Sequence, residues 1–298
     1  MSDAAVATVD SNQVGFERVG VIGAGLMGSG IAEVSARAGT DVIVVEASEE
    51  AASAGRARIE KSLGRAVKAG KLEASEEVAT LDRLHFTSKI ADLADRDLVI
   101  EAIIENENAK TSLFRKLDEI VEADNAVFAS NTSSIPIMKL AMATRRPENV
   151  IGIHFFNPVP ILHLVELVTS LYTSDETQQR ATAYAASQLG KRVVNSQDRA
   201  GFIVNALLIP YILSAIRMYE SGFASKEDID QGMVTGCAHP MGPLALADLI
   251  GLDTTMAVAD SLYEEFREQL YAPPPLLARM VEAGLLGRKS SRGFYDYR

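Results

Sequence analysis

Val19-Gly20-Val21-Ile22-Gly23-Ala24-Gly25-Leu26-Met27-Gly28 is an apolar run that enters a glycine-rich turn. The run at residues 18–23 has the length and β-branched content of a buried strand. Residues 26–38 then read as a helix stopped by Gly39. A second strand follows at 41–46 and ends on a carboxylate, Glu46, 23 residues after Gly23. A G-x-G-x-x-G run alone is a weak signal. Placed between a strand and a helix, with an acid closing the next strand, it is the pattern that holds a dinucleotide. Gly23, Ala24, Gly25, Leu26, Met27 and Gly28 bring backbone N–H groups and the positive end of a helix dipole to a pyrophosphate. Glu46 accepts hydrogen bonds from both ribose hydroxyls and repels a 2′-phosphate. No Arg or Lys follows it before Arg56, so the expected cofactor is NAD, not NADP.

Further strands are expected near 85–87, 97–103, 126–129 and 150–155, with helices at 49–72 and 107–121 between them. A helix at 174–189 and a last strand at 192–195 close this half. Strands alternating with helices predict a parallel, doubly wound sheet. In such a sheet the ligand lies beyond the carboxyl ends of the strands. Glu46, Glu105, the run Ser130-Asn131-Thr132-Ser133-Ser134 and His154 all fall at such ends. The expected fold is α/β: a Rossmann-type, mainly parallel sheet followed by a smaller all-helical domain. The boundaries are a flexible extension at 1–17, the nucleotide-binding domain at 18–198 and the helical domain at 199–298.

The stretch His154-Phe155-Phe156-Asn157-Pro158 separates two apolar strands, 150–155 and 161–168. Pro158 and Pro160 favour a turn between them. If the strands pair antiparallel about Pro160, residues whose numbers sum to 320 oppose each other, and His154 faces Glu166. Opposed Cβ atoms lie about 5 Å apart, which is hydrogen-bonding reach for these side chains. His163 points to the other face. A satisfied structural pair and an acid–base pair both fit this pattern.

Bulk properties narrow the function. A net charge of −11 argues against nucleic acid or an anionic membrane as partner. No apolar run approaches the roughly 20 residues that span a bilayer. Residues 1–17 lack the apolar core of a signal peptide. Cys237 is the only cysteine, so cysteine offers no metal cluster and no intrachain disulfide, and a cytoplasmic location is expected. No metal is expected. On the helix at 49–72, Lys61, Arg65 and Lys68 share one face. Such a stripe is either a solvated face or a landing site for a phosphate-bearing substrate.

From Ala200 the chain reads as helices throughout, at 202–220, 226–236, 244–250, 253–269 and 273–283. Several are apolar nearly all round, which suggests burial against a second copy, a homodimer formed through this half. Taken together, Ser130-Asn131-Thr132-Ser133-Ser134, His154-Phe155-Phe156-Asn157-Pro158 with Glu166, Gly201-Phe202-Ile203-Val204-Asn205 and Lys289…Gly293-Phe294-Tyr295 resemble the 3-hydroxyacyl-CoA dehydrogenases. The resemblance is strongest to the bacterial 3-hydroxybutyryl-CoA type. It implies a catalytic pair, His154 and Glu166, assisted by Ser133 and Asn205. It implies NAD contacts at the glycine loop, Glu46, Glu105, Lys110, Ser133, Asn157 and Lys289. It implies coenzyme A contacts at Ser62 and Lys68; Ala69 stands one residue on, and Lys71 is a second candidate. The implied reaction interconverts (S)-3-hydroxyacyl-CoA and 3-oxoacyl-CoA, short chains foremost, in fatty-acid metabolism. The alternatives are a gulonate-type sugar-acid dehydrogenase and a non-catalytic nucleotide-binding protein on the same scaffold.

Overall fold

The computed structural model describes residues 15–298. The chain forms two compact units that divide between Asp198 and Arg199. Most of the loose extension expected at 1–17 lies outside the described residues. Its last part is not loose: Phe16 is fully buried, packs edge-to-face on Tyr184 with ring centroids 5.6 Å apart, and carries the Arg180 guanidinium over its ring.

The first unit opens with β1 (Arg18–Ile22), α1 (Leu26–Arg37), β2 (Asp41–Val45), α2 (Glu49–Lys68), α3 (Ala74–Asp82) and β3 (Leu84–Thr87). It continues with β4 (Leu98–Glu101), α4 (Glu107–Ile120), β5 (Val127–Ser130), α5 (Ile137–Ala141) and β6 (Val150–Phe155). It ends with β7 (Leu164–Thr169), α6 (Asp175–Thr182) and β8 (Arg192–Gln197). The strands form one eight-stranded sheet in the order β3-β2-β1-β4-β5-β6-β7-β8. The first six run parallel; β7 turns antiparallel to β6, and β8 follows β7 in parallel. The order reverses between β1 and β4, the switch point at which such sheets open a crevice. Central strands are buried along their whole length, as β4, β5 and β6 are, because helices cover both faces of a parallel sheet.

Two helices had no counterpart among the expected elements. The first, α3, begins with a capping box in which Glu73 and Glu76 exchange side-chain and backbone bonds. The second, α5, takes its N-terminal cap from far along the chain: Asp198 accepts from the N–H of Ile137 and Met138 at 2.8 and 2.7 Å. The helix expected to run on to Leu189 widens into a π-helical turn over Ala183–Gln188. That turn carries Tyr184 inward, where its hydroxyl meets Ser35 at 2.6 Å. β7 starts at Leu164 rather than 161 because Ile161 and Leu162 bond back to the Pro158 carbonyl in a turn.

The second unit holds α7 (Val204–Glu220), α8 (Lys226–Gly236), α9 (Pro243–Ile250), α10 (Leu252–Phe266) and α11 (Pro275–Glu282) around its own apolar core. Helix α7 runs through Pro210. Two buried aspartates organise this unit. Asp230 accepts from the N–H of Leu244 and Ala245 and so caps α9. Asp248 accepts from the N–H of Phe294 and Tyr295 and from the Tyr297 hydroxyl, fastening the C-terminal tail. Among the described residues no helix is long and apolar enough to cross a membrane.

Candidate active site

The glycine loop leaves β1 in a conformation set by Gly23, at φ +94°, where a Cβ would lie 2.6 Å from the Ala102 carbonyl oxygen. Gly28 lets α1 start against the strand: a Cβ there would meet the Gly23 carbonyl oxygen at 1.8 Å. Gly25 differs from both. Its φ is an ordinary −63°, and a Cβ would find nothing within 4 Å. Neither backbone nor packing requires glycine at 25. The open space over it leaves room for a close approach from outside the chain, as a pyrophosphate makes over a dinucleotide-binding turn. Glu46 closes the loop from β2. Its Oε1 accepts from Ala24 N at 2.5 Å and its Oε2 from Ala47 N at 3.1 Å. The residues therefore fit NAD. One expectation needs amendment: Arg58 reaches back from α2 to the Ala24 carbonyl at 2.9 Å, so the loop is not without a nearby cation.

At the other end of the same edge, β6 and β7 pair as Gly152↔Val168, Ile153↔Leu167, His154↔Glu166 and Phe155↔Val165. Every pair sums to 320, as a turn centred on Pro160 predicts. His154 Nδ1 lies 2.9 Å from Glu166 Oε2, with both side chains buried. Its Nε2 lies 3.0 Å from Ser133 Oγ. A carboxylate only accepts, so in the neutral ring Nδ1–H donates to Glu166 and Nε2 accepts from the Ser133 hydroxyl. Phe156 stands against the imidazole, ring centroids 4.6 Å apart. Asn131 pins the end of β6 by accepting from Phe155 N at 2.9 Å.

Glu105 organises the loop that carries Ser133. It accepts from the Thr132 hydroxyl, from the backbone N–H of Ser133 and Ser134, and from the Ser134 hydroxyl, at 2.5 to 3.2 Å. Burial opposes its charge, but the Lys110 ammonium and the hydroxyls of Thr132 and Ser134 outweigh burial and hold its carboxyl below the usual range. Lys110, expected to touch the cofactor, is only 1% exposed, with Nζ 2.6 Å from Glu101 and 3.0 Å from Glu105. Glu101 also accepts from the Ser130 hydroxyl and from Ile103 N. Two strand ends are thus laced together through one buried cation. Asn131, Thr132 and Glu101 had no individual role in the sequence reading. Their only sequence signal is polarity at the end of an otherwise apolar strand.

The basic stripe divides. A cavity of about 200 Å³ lies between α1, α2 and the Asn157–Pro160 turn, and Lys61, Ser62 and Arg65 line it. Lys68, one turn further along α2, is exposed and does not line it; neither does Lys71. Ser62 also bonds to the buried Glu33 carboxyl, whose pKa is raised by burial against the pull of Ser62, Arg37 and Arg65. Asn157 sits on the cavity rim, joined to Pro158 by a cis peptide bond. The other two expected residues belong to the second unit. Asn205, half-buried, is the second residue of α7. Lys289 holds Asp253 Oδ2 at 2.6 Å beside Gly251, where a Cβ would lie 3.2 Å from the ammonium. No group of His, Cys, Asp and Glu among the described residues is arranged to hold a metal ion.

Comparison with known proteins identifies the family. Residues 18–199 match the family described as "3-hydroxyacyl-CoA dehydrogenase, NAD binding domain", and residues 201–297 match its "C-terminal domain". A relative named 3-hydroxybutyryl-CoA dehydrogenase, from Mycobacterium tuberculosis, is 59% identical over 282 residues, covering 95% of this chain and 99% of the relative. The crystal structure of M. tuberculosis FadB2 superposes with a TM-score of 0.95 at 58% identity, over 96% of this chain and all of that one. (S)-3-hydroxybutyryl-CoA dehydrogenase PaaH1 from Ralstonia eutropha gives 0.90 at 46% identity, over 95% and 99% of the two chains. The chain belongs to the 3-hydroxyacyl-CoA dehydrogenase family of NAD-dependent enzymes.

Proposed function

We propose that this enzyme interconverts (S)-3-hydroxybutyryl-CoA and acetoacetyl-CoA, with His154 as general acid and base. The observation that carries the reading is the imidazole held between Glu166 and Ser133 at the carboxyl end of β6. Oxidising a secondary alcohol needs a hydride acceptor and a proton acceptor. Bound NAD supplies the first. Nε2 of His154 supplies the second, since in the neutral ring, with Nδ1–H given to Glu166, Nε2 is the accepting nitrogen. As the proton arrives at Nε2, Glu166 stabilises the imidazolium through Nδ1–H and keeps the ring in the required tautomer. In reduction, His154 returns that proton to the ketone oxygen. The Ser133 hydroxyl, which donates to Nε2 in the free enzyme, turns to the substrate oxygen when substrate binds. Asn205 positions the reacting chain.

The groove with Lys61, Ser62 and Arg65 supports a coenzyme A thioester over a free acid, because two cations and a hydroxyl suit its phosphates. The names of the relatives, 3-hydroxybutyryl-CoA dehydrogenases, support a short-chain substrate. The test is NADH oxidation by the purified protein with acetoacetyl-CoA, against acetoacetate and sugar keto-acids. The thioester alone should be turned over, with NADH preferred to NADPH. Equal rates with the free acid remove the coenzyme A reading; a preference for NADPH removes the role given to Glu46.

A further inference from the structure

A second cavity of the nucleotide-binding unit adjoins the groove just described, and Pro160 lines both. It holds about 470 Å³, room for a ligand of nucleotide size. Its walls come from the end of α1, from α3, from the approach to β7 and from the turn before β8. In a chain of net charge −11, these walls collect Arg37, Arg83, Lys191 and His163. The one carboxylate among them, Glu76, is turned to the start of α3, where it accepts from Glu73 N at 3.0 Å.

Lys191 is the most telling of these cations. It is 8% exposed, and its ammonium donates to the carbonyls of Val159 and Leu162 at 2.6 and 2.7 Å. Carbonyls satisfy N–H donors without cancelling the charge. Burial lowers the lysine's pKa from its ordinary value, Arg37 pushes the same way, and only Glu33 opposes them. Glu33 is itself shared with Arg37 at 3.8 Å. The carbonyl end of α1, which by itself would repel an anion, is covered: Arg83 and Gly39 N donate to Ala36 O, and Thr40 N to Ser35 O. The cavity thus combines space, two arginines, a buried lysine and a deficit of negative charge.

We propose that this cavity binds the phosphate group of a nucleotide, with Arg37, Arg83 and His163 as its contacts and Lys191 as the buried charge behind them. Guanidinium groups pair with phosphate in a planar, two-pronged geometry, and the half-exposed forks of Arg37 and Arg83 suit that role. The phosphate has two possible sources: the 3′-phosphoadenosine end of a coenzyme A thioester lying in the adjoining groove, or a free nucleotide. The proposal does not rest on the reaction assigned above, because its test measures binding without turnover.

The probe is adenosine 3′,5′-bisphosphate, titrated calorimetrically into the full-length protein saturated with NADH, so that the glycine loop is occupied. The expected Kd is tighter than about 1 mM. Arg83→Gln and His163→Ala should each weaken it by about tenfold, the loss of one charge-assisted contact. Lys116→Gln, which removes an exposed cation of α4 that lines neither cavity, should leave it within about twofold. Melting temperature checks each fold, and Arg37→Gln replaces Arg83→Gln if the latter fails to fold. No binding by the wild type overturns the proposal. So does a loss seen with Lys116→Gln and absent from the cavity variants. Coenzyme A then separates the sources: displacement of the probe identifies the substrate's own tail, and simultaneous binding identifies a separate nucleotide.

Discussion

At the scale of single residues, the site separates what the fold needs from what chemistry needs. Gly28 and Gly25 stand three positions apart and answer to different demands. A Cβ at Gly28 collides with the Gly23 carbonyl, so Gly28→Ala should lower the melting temperature and impair folding. A Cβ at Gly25 touches nothing, so Gly25→Ala should melt like the wild type while NADH binds about tenfold or more weakly. Fluorescence titration of NADH checks this; unchanged affinity would return Gly25 to a turn residue of no consequence. His154→Gln should cut kcat at least about 100-fold, the lower end of what a general acid–base contributes, with NADH affinity little changed. Near-normal turnover would leave the His154–Glu166 bond a structural pair, the reading the sequence left open. Glu166→Gln keeps a hydrogen-bonding partner for the ring but removes the charge that stabilises the imidazolium, so most of the rate should go with it.

At the scale of elements, the Ser130–Ser134 loop depends on Glu105 more than on any residue within it. The Glu105 carboxyl sits below its usual range in the fold. Its contribution is therefore fully present above the unfolded value of about 4.3 and is lost only as pH falls through the lower folded value. NADH affinity should hold down to the ordinary carboxylate range and fall only below it. In Glu105→Gln the affinity should already be weak at pH 7 and lack that acid step. A wild-type and a variant profile of the same shape would remove Glu105 from the loop's support. On α2, the division of the basic stripe makes a second contrast. Arg65→Glu should raise KM for acetoacetyl-CoA about tenfold or more, and Lys68→Glu should change it little, since Lys68 stands outside the groove. Sequence periodicity put both on one face and could not separate them, because the groove spans only part of the length of α2. The same limit hid the partners of Lys110. A lysine nine residues after Glu101 looks like any surface cation until the sheet brings the two together.

At the scale of the whole molecule, legibility followed the strength of the local signal. The β6–β7 register was readable because two prolines fix the turn and one apolar face fixes the slip. The nucleotide-binding half was readable because a glycine loop and an acid at the next strand end belong to one arrangement. Helix α3 escaped because it is short and polar, although its Glu73–Glu76 box was present in the sequence. The π-helical turn at Ala183–Gln188 escaped because its cause, the buried Tyr184 hydroxyl on Ser35, lies 149 residues away along the chain.

The helical half carries the last inference at this scale. Leu207, Met218 and Phe223 are large apolar side chains that stand exposed on or just after α7. A neighbouring apolar cavity of about 330 Å³ is lined by residues such as Tyr211, Met218 and Met233. Exposed apolar surface of this extent in an acidic, otherwise well-packed unit marks an interface, and a second copy is the partner that needs no other protein. We propose a homodimer formed through α7 and α8. Light scattering after gel filtration should give the mass of two chains. Leu207→Glu with Phe223→Glu should give the mass of one, because two buried charges without partners cost more than a typical interface contact returns. A wild-type protein that runs as a single chain at micromolar concentration would leave this apolar surface to some other ligand.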